Sequence, residues 1–256
     1  MRKFIARIIP VRGMIVSGDT SPTGPIPLLP FTGGGATFSD DIIRYLKTVA
    51  AERKVKVIIF EIDSPGGTPY ASKEIADAIK KVEKPTIAHI REHGTSGAYW
   101  IASACKKIIA DPLSSIGSIG TRADRLDLSE LAKKIGIKID TFTKGEYKGV
   151  GSPYSEMSEK ERKFIQDHVE SFNQYFVDEI RNNRNIKDKK LLKDITSGKS
   201  FLGKQALDLG LIDYLGGSEK VIQVAEDLAG IKLVPDYRRG SVEKPGLMMR
   251  MIRRMF

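Results

Sequence analysis

The stretch Val55-Lys-Val-Ile-Ile-Phe-Glu-Ile62, followed directly by Asp63-Ser-Pro-Gly-Gly67, decides the fold class of this 256-residue chain. A nearly continuous apolar and β-branched run is typical of a strand that is buried on both faces of a parallel sheet. The glycine turn is predicted to end the strand, and a helix is predicted over 72–82. A buried strand, a turn and a helix in this order indicate an α/β fold.

The same order of strand, turn and helix repeats on both sides of this stretch, which predicts parallel pairing within one domain over residues 1–235. Pro10 is expected at an edge or a bulge of the first strand, because proline cannot donate to a ladder. Ser158 and Glu161 form a capping-box pattern that begins a long helix. Further strands are predicted over 4–16, 85–90, 108–110 and 137–142, helices over 97–104, 128–135, 203–209 and 218–229, a helix start at Ser39, and a long loop over 17–38.

Composition excludes several classes of protein. Hydrophobic residues make up 41% and charged residues 29% of the chain, which is ordinary for a globular protein and excludes a disordered or collagen-like one. The single cysteine, Cys105, excludes a disulfide framework and a multi-cysteine zinc or iron–sulfur site. Three histidines, His89, His93 and His168, leave little for a histidine-rich metal centre.

The net charge of +10 belongs to the ends of the chain. Residues 1–12 carry +4 and residues 238–256 carry +5, which leaves +1 for residues 13–237. Binding to nucleic acid needs clustered cations that contact phosphates. A nucleic-acid groove on the body of the protein is therefore not expected.

Hydropathy predicts a cytoplasmic protein with peripheral membrane contact. There is no apolar run of about 18 residues for a transmembrane helix, and Arg7 interrupts the N-terminal apolar stretch too early for an export signal. Residues 236–256 form a basic tail, in which 246–256 places apolar side chains on one helical arc and arginines on the other. Such a face suits an anionic membrane; packing on a neighbouring subunit and fraying are the alternatives.

A candidate nucleophile lies in Gly94-Thr-Ser-Gly-Ala98, between a predicted strand and a predicted helix. A serine at such a corner is exposed at a helix N-terminus, where N–H groups can stabilise a developing anion. The pattern is close to the G-x-S-x-G nucleophile elbow, although Thr95 and Ala98 depart from it. The alternative is a glycine turn with an N-capping serine.

Two kinds of base are open for Ser96. His93 is three residues away in sequence, but a catalytic group is defined by geometry, and a side chain before the turn usually points away from it. The other is a lysine, which must be neutral to accept a proton and therefore lies among apolar or small groups. Lys148, in a glycine-rich loop, is one candidate among several, whereas His89 and His168 are expected to be structural.

Four ordered motifs together resemble the signal peptide peptidase A family of serine peptidases over about residues 5–230. They are Asp63-Ser-Pro-Gly-Gly67, Thr95-Ser-Gly-Ala-Tyr-Trp100, the segment 110–120 and Gly145-Glu-Tyr-Lys-Gly-Val-Gly-Ser-Pro153, followed by a matching closing segment over 198–217.

This resemblance implies that Ser96 is the nucleophile and Lys148 the general base, oriented by a hydrogen bond from Ser118. It also implies that the N–H of Gly66 contributes to the oxyanion hole, with the N–H of Gly97 as a second donor. The family usually has S-G-G-Y where this chain has Ser96-Gly-Ala-Tyr99.

The resemblance implies a Clp-protease/crotonase-like α/β spiral of parallel-paired strands with flanking helices, assembled into a homo-oligomeric ring. The implied activity is a Ser–Lys endopeptidase that cleaves short or unfolded peptides, signal-peptide remnants among them, without a metal or organic cofactor. Family members typically carry a transmembrane anchor, which is not predicted here. Two alternatives stay open: a crotonase-like acyl-CoA hydratase or isomerase, which normally uses carboxylates as acid and base, and a non-catalytic peptide-binding scaffold.

Overall fold

The apolar run at 55–62 forms the centre of a nine-stranded sheet. The structure is a computed structural model that describes residues 3–19 and 35–237. Its strands are β1 Phe4–Val16, β2 Ala36–Phe38, β3 Val55–Gly67, β4 Thr86–Thr95, β5 Lys107–Ala110, β6 Ser115–Gly117, β7 Ser200–Leu202, β8 Tyr214–Leu215 and β9 Leu233–Asp236. Its helices are α1 Ser39–Ala51, α2 Pro69–Lys80, α3 Gly97–Ser103, α4 Ser129–Lys134, α5 Glu159–Asn183, α6 Lys189–Ile195, α7 Gly203–Asp208 and α8 Ser218–Ala229.

Parallel pairing dominates the sheet. The main strand order is β2-β1-β3-β4-β5-β8, with β9 beside β1 and β6 beside the end of β4. Every pair is parallel except β6 with β7, which is antiparallel. The predicted α/β fold with parallel-paired strands and flanking helices is confirmed, and the capping box of Ser158 and Glu161 begins α5 as predicted.

Each face of the sheet has its own apolar core. Side chains alternate between faces along a strand, so Ile58 and Phe60 of β3 join the core under α1, α2, α3 and α5. Val57 and Ile59 join a smaller core under α8. Full burial of one such side chain contributes about 1.5–3 kcal/mol. These cores fix β3 and β4, the strands that lead to the predicted serine corner.

The first strand tolerates its proline because of a gap in the pairing. On the side away from β3, β9 pairs with residues 4–7 and β2 with residues 14–16. Pro10 lies between these two segments and is exposed. Its missing N–H therefore removes no ladder bond, as predicted for an edge position.

One predicted strand end and one predicted strand are wrong. The turn Asp63-Ser-Pro-Gly-Gly67 does not end β3, because the chain stays extended between β1 and β4 through a bulge at Arg12–Met14. The strand predicted over 137–142 is absent, and Ile137 and Phe142 are 52% and 95% exposed. Alternating apolar residues produce a strand only where a partner strand is present, and none of the described strands pairs with this segment.

Residues 122–157, which we call the arm, differ from the rest of the described chain. The arm contains α4, and Ser129 is its only buried residue. Local bonds hold it together: Arg125 donates to the carbonyl of Ser152, and the N–H of Leu128 donates to the carbonyl of Pro153. The arm therefore has local structure without a core of its own.

The structure describes only part of the predicted tail and of the predicted loop over 17–38. β9 ends at Asp236, so the sheet includes the first residue of the predicted tail. The rest of the tail from residue 238, and most of the predicted loop over 17–38, lie outside the described residues. Among the described helices, none combines the length and the apolar character that crossing a bilayer requires.

Candidate active site

Ser96 lies at the sharp corner where β4 ends and α3 begins. Its backbone has φ 53° and ψ −128°, a combination that residues with a side chain rarely adopt. The Ser96 N–H donates to the carbonyl of Gly117 at 2.7 Å, and the Trp100 N–H donates to the carbonyl of Ser96 at 3.1 Å. The corner is thus held from both sides, with the serine at a helix N-terminus as in a nucleophile elbow.

A second strained serine lies beside it. Ser118 has φ 48°, and its N–H donates to the carbonyl of Lys199 at 2.7 Å. Thr95 pairs with Gly117, so the two serines follow neighbouring strand ends. Such backbone conformations cost about 1–3 kcal/mol each and concentrate at functional sites. Two adjacent strained hydroxyl residues therefore indicate a functional site.

Three glycines, Gly66, Gly67 and Gly97, form what we call the glycine floor beneath Ser96. A Cβ on Gly66 would lie 2.9 Å from the Cβ of Ser96, and one on Gly97 would lie 2.1 Å from the Oγ of Ser72. A Cβ on Gly67 would lie 1.9 Å from a backbone oxygen of β1. Any side chain at these positions displaces the corner, so glycine is required for close approach of the backbones.

The floor brings backbone N–H groups close to Ser96. The Gly97 N–H belongs to the first turn of α3, where N–H groups lack an acceptor within the helix. The nitrogen of Gly67 lies 3.3 Å from the position that a Cβ on Gly97 would occupy. The Gly66 N–H donates to the Oγ of Ser64 at 3.1 Å. Both predicted donors therefore lie against Ser96, Gly66 with a partner already, and Gly67 is a neighbour that the sequence did not single out.

One cavity of about 870 Å³ opens at this corner. Four of the five predicted site residues line it: Ser96, Gly97, Gly66 and Ser118. The structure thus brings together positions that are separated by up to 52 residues in the chain. What they share is a place at the carboxyl ends of adjacent parallel strands, which is where ligands bind in open α/β sheets.

The wall of the cavity contains both aromatic and polar side chains. Trp100, which is 3% exposed, stacks on Phe176 of α5 with ring centroids 4.7 Å apart. Phe172 also lines the cavity and is 50% exposed. Arg122 and Glu170 add one charge of each sign. The cavity can therefore accept an apolar side chain next to a polar backbone.

Lys148 is the predicted site residue that the structure leaves outside. It lies on the arm, is exposed, and is not among the described residues that line the cavity. Its neighbour Tyr147 stacks on Phe164 of α5 at 4.9 Å, and Lys160 of the same helix pairs with Glu146 at 3.0 Å. The arm is thus attached to α5, the helix that also forms part of the cavity wall.

Other bases and acids do not replace it among the described residues. His93 is exposed, lies 3.8 Å from Asp63 through its Nδ1, and does not line the cavity. Glu170 is the only carboxylate in the described lining, which leaves crotonase-like chemistry without a carboxylate pair. Within the described part of the chain, no three His, Cys, Asp or Glu side chains form a group that could hold a metal ion.

Comparison with known proteins assigns the family. The model of peptidase family S49 matches residues 78–232, a stretch that contains Ser96, Ser118 and Lys148. The chain belongs to peptidase family S49. The sequence motifs had indicated the signal peptide peptidase A family, and this is confirmed. The region that matches the S49 model thus includes the strained serine corner.

Two relatives illustrate the extent of the similarity. The serine protease SPPA of Arabidopsis thaliana chloroplasts is 32% identical over 205 residues, which are 79% of this chain and 30% of the relative. A protein of Enterococcus faecium, provisionally named signal peptide peptidase SppA, is 34% identical over 185 residues, 71% of this chain and 54% of the relative. The chain therefore spans about a third to a half of the length of these relatives.

A solved structure supports the fold of this S49 chain. The 1510-N membrane-bound stomatin-specific protease, as a lysine-to-alanine mutant with a substrate peptide, superposes with a TM-score of 0.57. The alignment covers 100% of this chain and 99% of that one at 18% sequence identity. At that identity the likeness concerns the fold alone.

Proposed function

We propose that the protein is a serine endopeptidase in which Ser96 is the nucleophile and Lys148 the general base. The backbone of Ser96 carries the proposal: a φ of 53° and a ψ of −128° at the start of a helix expose a side chain that would otherwise cap that helix. Membership of peptidase family S49 supports the same activity.

The reaction is acyl transfer in two steps. Neutral Lys148 accepts the proton of the Ser96 hydroxyl while the Oγ attacks the substrate carbonyl, forming a tetrahedral intermediate. The C–N bond then breaks, and the leaving amine takes the proton from Lys148. Water repeats the sequence on the acyl-enzyme, with Lys148 again as the base, and releases the peptide acid and free Ser96.

The negative oxygen of the intermediate is stabilised by the glycine floor. The Gly97 N–H donates a hydrogen bond to this oxygen. The Gly66 N–H, which donates to the Oγ of Ser64 at 3.1 Å, breaks that bond and donates to the oxyanion instead. Removing one such donor costs about 2.7–4 kcal/mol in a comparable enzyme.

Lys148 reaches Ser96 when the arm is covered. A lysine acts as a base only where water is excluded, and Lys148 is exposed in the single chain. The arm also exposes several large apolar side chains. These are Leu126, Leu131, Ile135, Ile137, Ile139, Phe142 and Tyr154. We infer that a second copy of the chain in a homo-oligomeric ring covers this surface and closes the site.

A mixing experiment tests this closure. Ser96→Ala and Lys148→Ala are each expected to be inactive, and co-assembly pairs an intact serine with an intact lysine across copies. Peptide hydrolysis should therefore return in the mixture. Co-assembled variants without activity would contradict a dyad that is shared between copies, and light scattering that returns an active 28.3 kDa monomer would contradict closure by a second copy. Lys144→Ala is the control variant on the arm.

The substrates are short or unfolded peptides, signal-peptide remnants among them. An extended chain fits the cavity between the glycine floor and α5, with an apolar side chain against Trp100 and Phe176. A folded protein does not present a free extended backbone to such a cleft. The basic tail would hold the protein at an anionic membrane, and vesicle co-sedimentation of the full chain against a chain ending at Asp236 tests that contact.

A serine-reactive probe tests the nucleophile. A fluorophosphonate is expected to label the full chain at Ser96, found by mass spectrometry of the labelled peptide. Ser96→Ala should abolish both labelling and hydrolysis at an unchanged melting temperature, whereas Ser197→Ala, in the same cavity, should retain both. Labelling at another serine, or hydrolysis by Ser96→Ala, would refute the proposal and leave a scaffold or another chemistry.

A further inference from the structure

A second cavity lies apart from the serine corner. It has a volume of about 430 Å³ and opens beyond the carboxyl ends of β5 and β8, on the face covered by α8. None of its lining residues lines the cavity of Ser96. Crevices at the carboxyl ends of parallel strands are the usual ligand sites of open α/β sheets.

The start of α8 forms one side of this cavity. Strand β8 leads through Gly216 and Gly217 into the helix, and both Gly217 and Ser218 line the cavity. No side chain caps α8, so the N–H groups of its first turn have no side-chain acceptor. A glycine pair before a helix lets a ligand approach these N–H groups and the positive end of the helix dipole.

His89 supplies an independent observation. The side chain projects from β4 to the α8 face, lines the cavity and is only 6% exposed. None of the described residues makes a hydrogen bond to its ring. Burial lowers the pKa of His89, so the ring is neutral at neutral pH and carries one N–H and one lone pair. The ring lines the cavity, so its N–H is available to a ligand there.

Arg91 provides a positive charge at the same place. It follows His89 by two residues on β4, lines the cavity and is 51% exposed. Its contact with Oε2 of Glu61 is long, 3.5 Å, and Arg12 contacts Oε1 of the same carboxylate at 2.5 Å. The lining also contains two carboxylates: one oxygen of Asp111 accepts the N–H of Leu113, and Glu92 is 79% exposed.

We propose that this cavity binds a small oxyanion, the carboxylate or phosphate group of a small molecule. The oxyanion accepts hydrogen bonds from the first turn of α8, from the ring N–H of His89 and from the guanidinium of Arg91. The site lies on the strand that ends at Ser96, and it involves none of the residues of the proposed peptidase reaction.

The three histidines make the proposal measurable by NMR. In the full chain at neutral pH, the ring Cε1–H signal of His89 is expected to shift saturably with sodium phosphate or sodium acetate, at a Kd of about 1 mM. His93 and His168 serve as internal controls, and sodium chloride at equal ionic strength as the salt control. A response to phosphate alone or to acetate alone supports the site and identifies the group. No shift beyond the chloride control, up to about 50 mM of either salt, would overturn the proposal.

A matched pair of arginine variants tests the geometry. Arg91→Gln should weaken anion binding about tenfold, the loss of about 1.4 kcal/mol expected for one charge-assisted contact. Arg44→Gln, at an exposed arginine outside the cavity, should leave the Kd unchanged. An Arg91→Gln variant that binds as tightly as the unmodified chain would contradict the assignment. The same titration followed by a serine probe should show Ser96 still labelled in Arg91→Gln.

Discussion

The glycine floor and the arm each contain a glycine with a positive φ, but only the glycine of the floor is crowded by its neighbours. Gly66 in the floor has φ +104° and Gly145 in the arm has φ +113°. A Cβ on Gly66 would meet backbone atoms at 2.8 and 3.0 Å, whereas one on Gly145 meets only the Cβ of Lys148, at 4.0 Å. The floor is thus fixed by close packing within its own chain, whereas Ser129 is the only buried residue of the arm. Four of the five proposed site residues line the cavity, and Lys148 on the arm does not.

Alanine substitution at the two glycines should separate crowding from strain. Gly66→Ala is expected to lower kcat about 10²–10³-fold, because the new methyl displaces Ser96 and the oxyanion donors. Gly145→Ala carries a similar strain of about 1–3 kcal/mol but has open space, so activity should stay within a few-fold. Peptide hydrolysis and melting temperature measure both effects. Equal losses in the two variants would mean that strain alone matters and that the floor is not packed as described.

The attachment of the arm to α5 is the next test. Tyr147→Ala removes the ring that stacks on Phe164, a contact of about 0.5–1.5 kcal/mol. Trypsin should cleave the arm faster, and hydrolysis should fall by up to about tenfold as Lys148 loses its position. Tyr70→Ala, at an exposed tyrosine of α2 outside the arm and the cavity, is the control and should change neither. An unchanged Tyr147→Ala would show that α5 does not position the arm.

Acid should loosen the arm before it affects the floor. Hydrogen bonds from Ser129, and then from Arg125, lower the pKa of Asp127 to about 2. Because the folded-state pKa is depressed, this stabilisation is present above the ordinary value of 3.8 and is lost as the pH falls toward about 2.

Pepsin cleavage measures this loosening. Cutting within 122–157 should accelerate between pH 3.8 and about 2, and Asp127→Asn should make the same segment more sensitive to trypsin at neutral pH. Asp124→Asn, three residues earlier and 73% exposed, is the matched control. Cleavage of the arm that is indifferent to Asp127→Asn would remove this carboxylate from the account.

The sequence predicted the floor better than the arm for physical reasons. Residues 55–62 are buried by neighbouring strands of the same chain, so their apolar pattern is enough to predict a buried strand. The segment 137–142 also alternates apolar residues, but none of the described strands pairs with it, and the predicted strand is absent. A single sequence does not distinguish an apolar segment that pairs within a sheet from one that stays exposed.

The sequence also did not predict the strained backbone of Ser96 and Ser118. The motifs predicted Ser96 and Ser118 as site residues, but a positive φ at a serine arises from the tertiary contacts of β4 with β6. Other contacts explain why β3 continues through Asp63-Ser-Pro-Gly-Gly67: Ser64 donates to the carbonyl of Gly13 in β1 and accepts the N–H of Gly66. The local turn signal was real, and a side-chain bridge between strands overrode it.

The rate at which a fluorophosphonate acylates Ser96 tests the two-part site most directly. We predict that Lys148→Ala slows acylation by at least about 100-fold, the contribution of a general base, at an unchanged melting temperature. Lys144→Ala, on the same arm, and His93→Ala, beside the corner, should react within about twofold of the unmodified chain. Acylation of Lys148→Ala at the full rate, or a loss in His93→Ala instead, would contradict it.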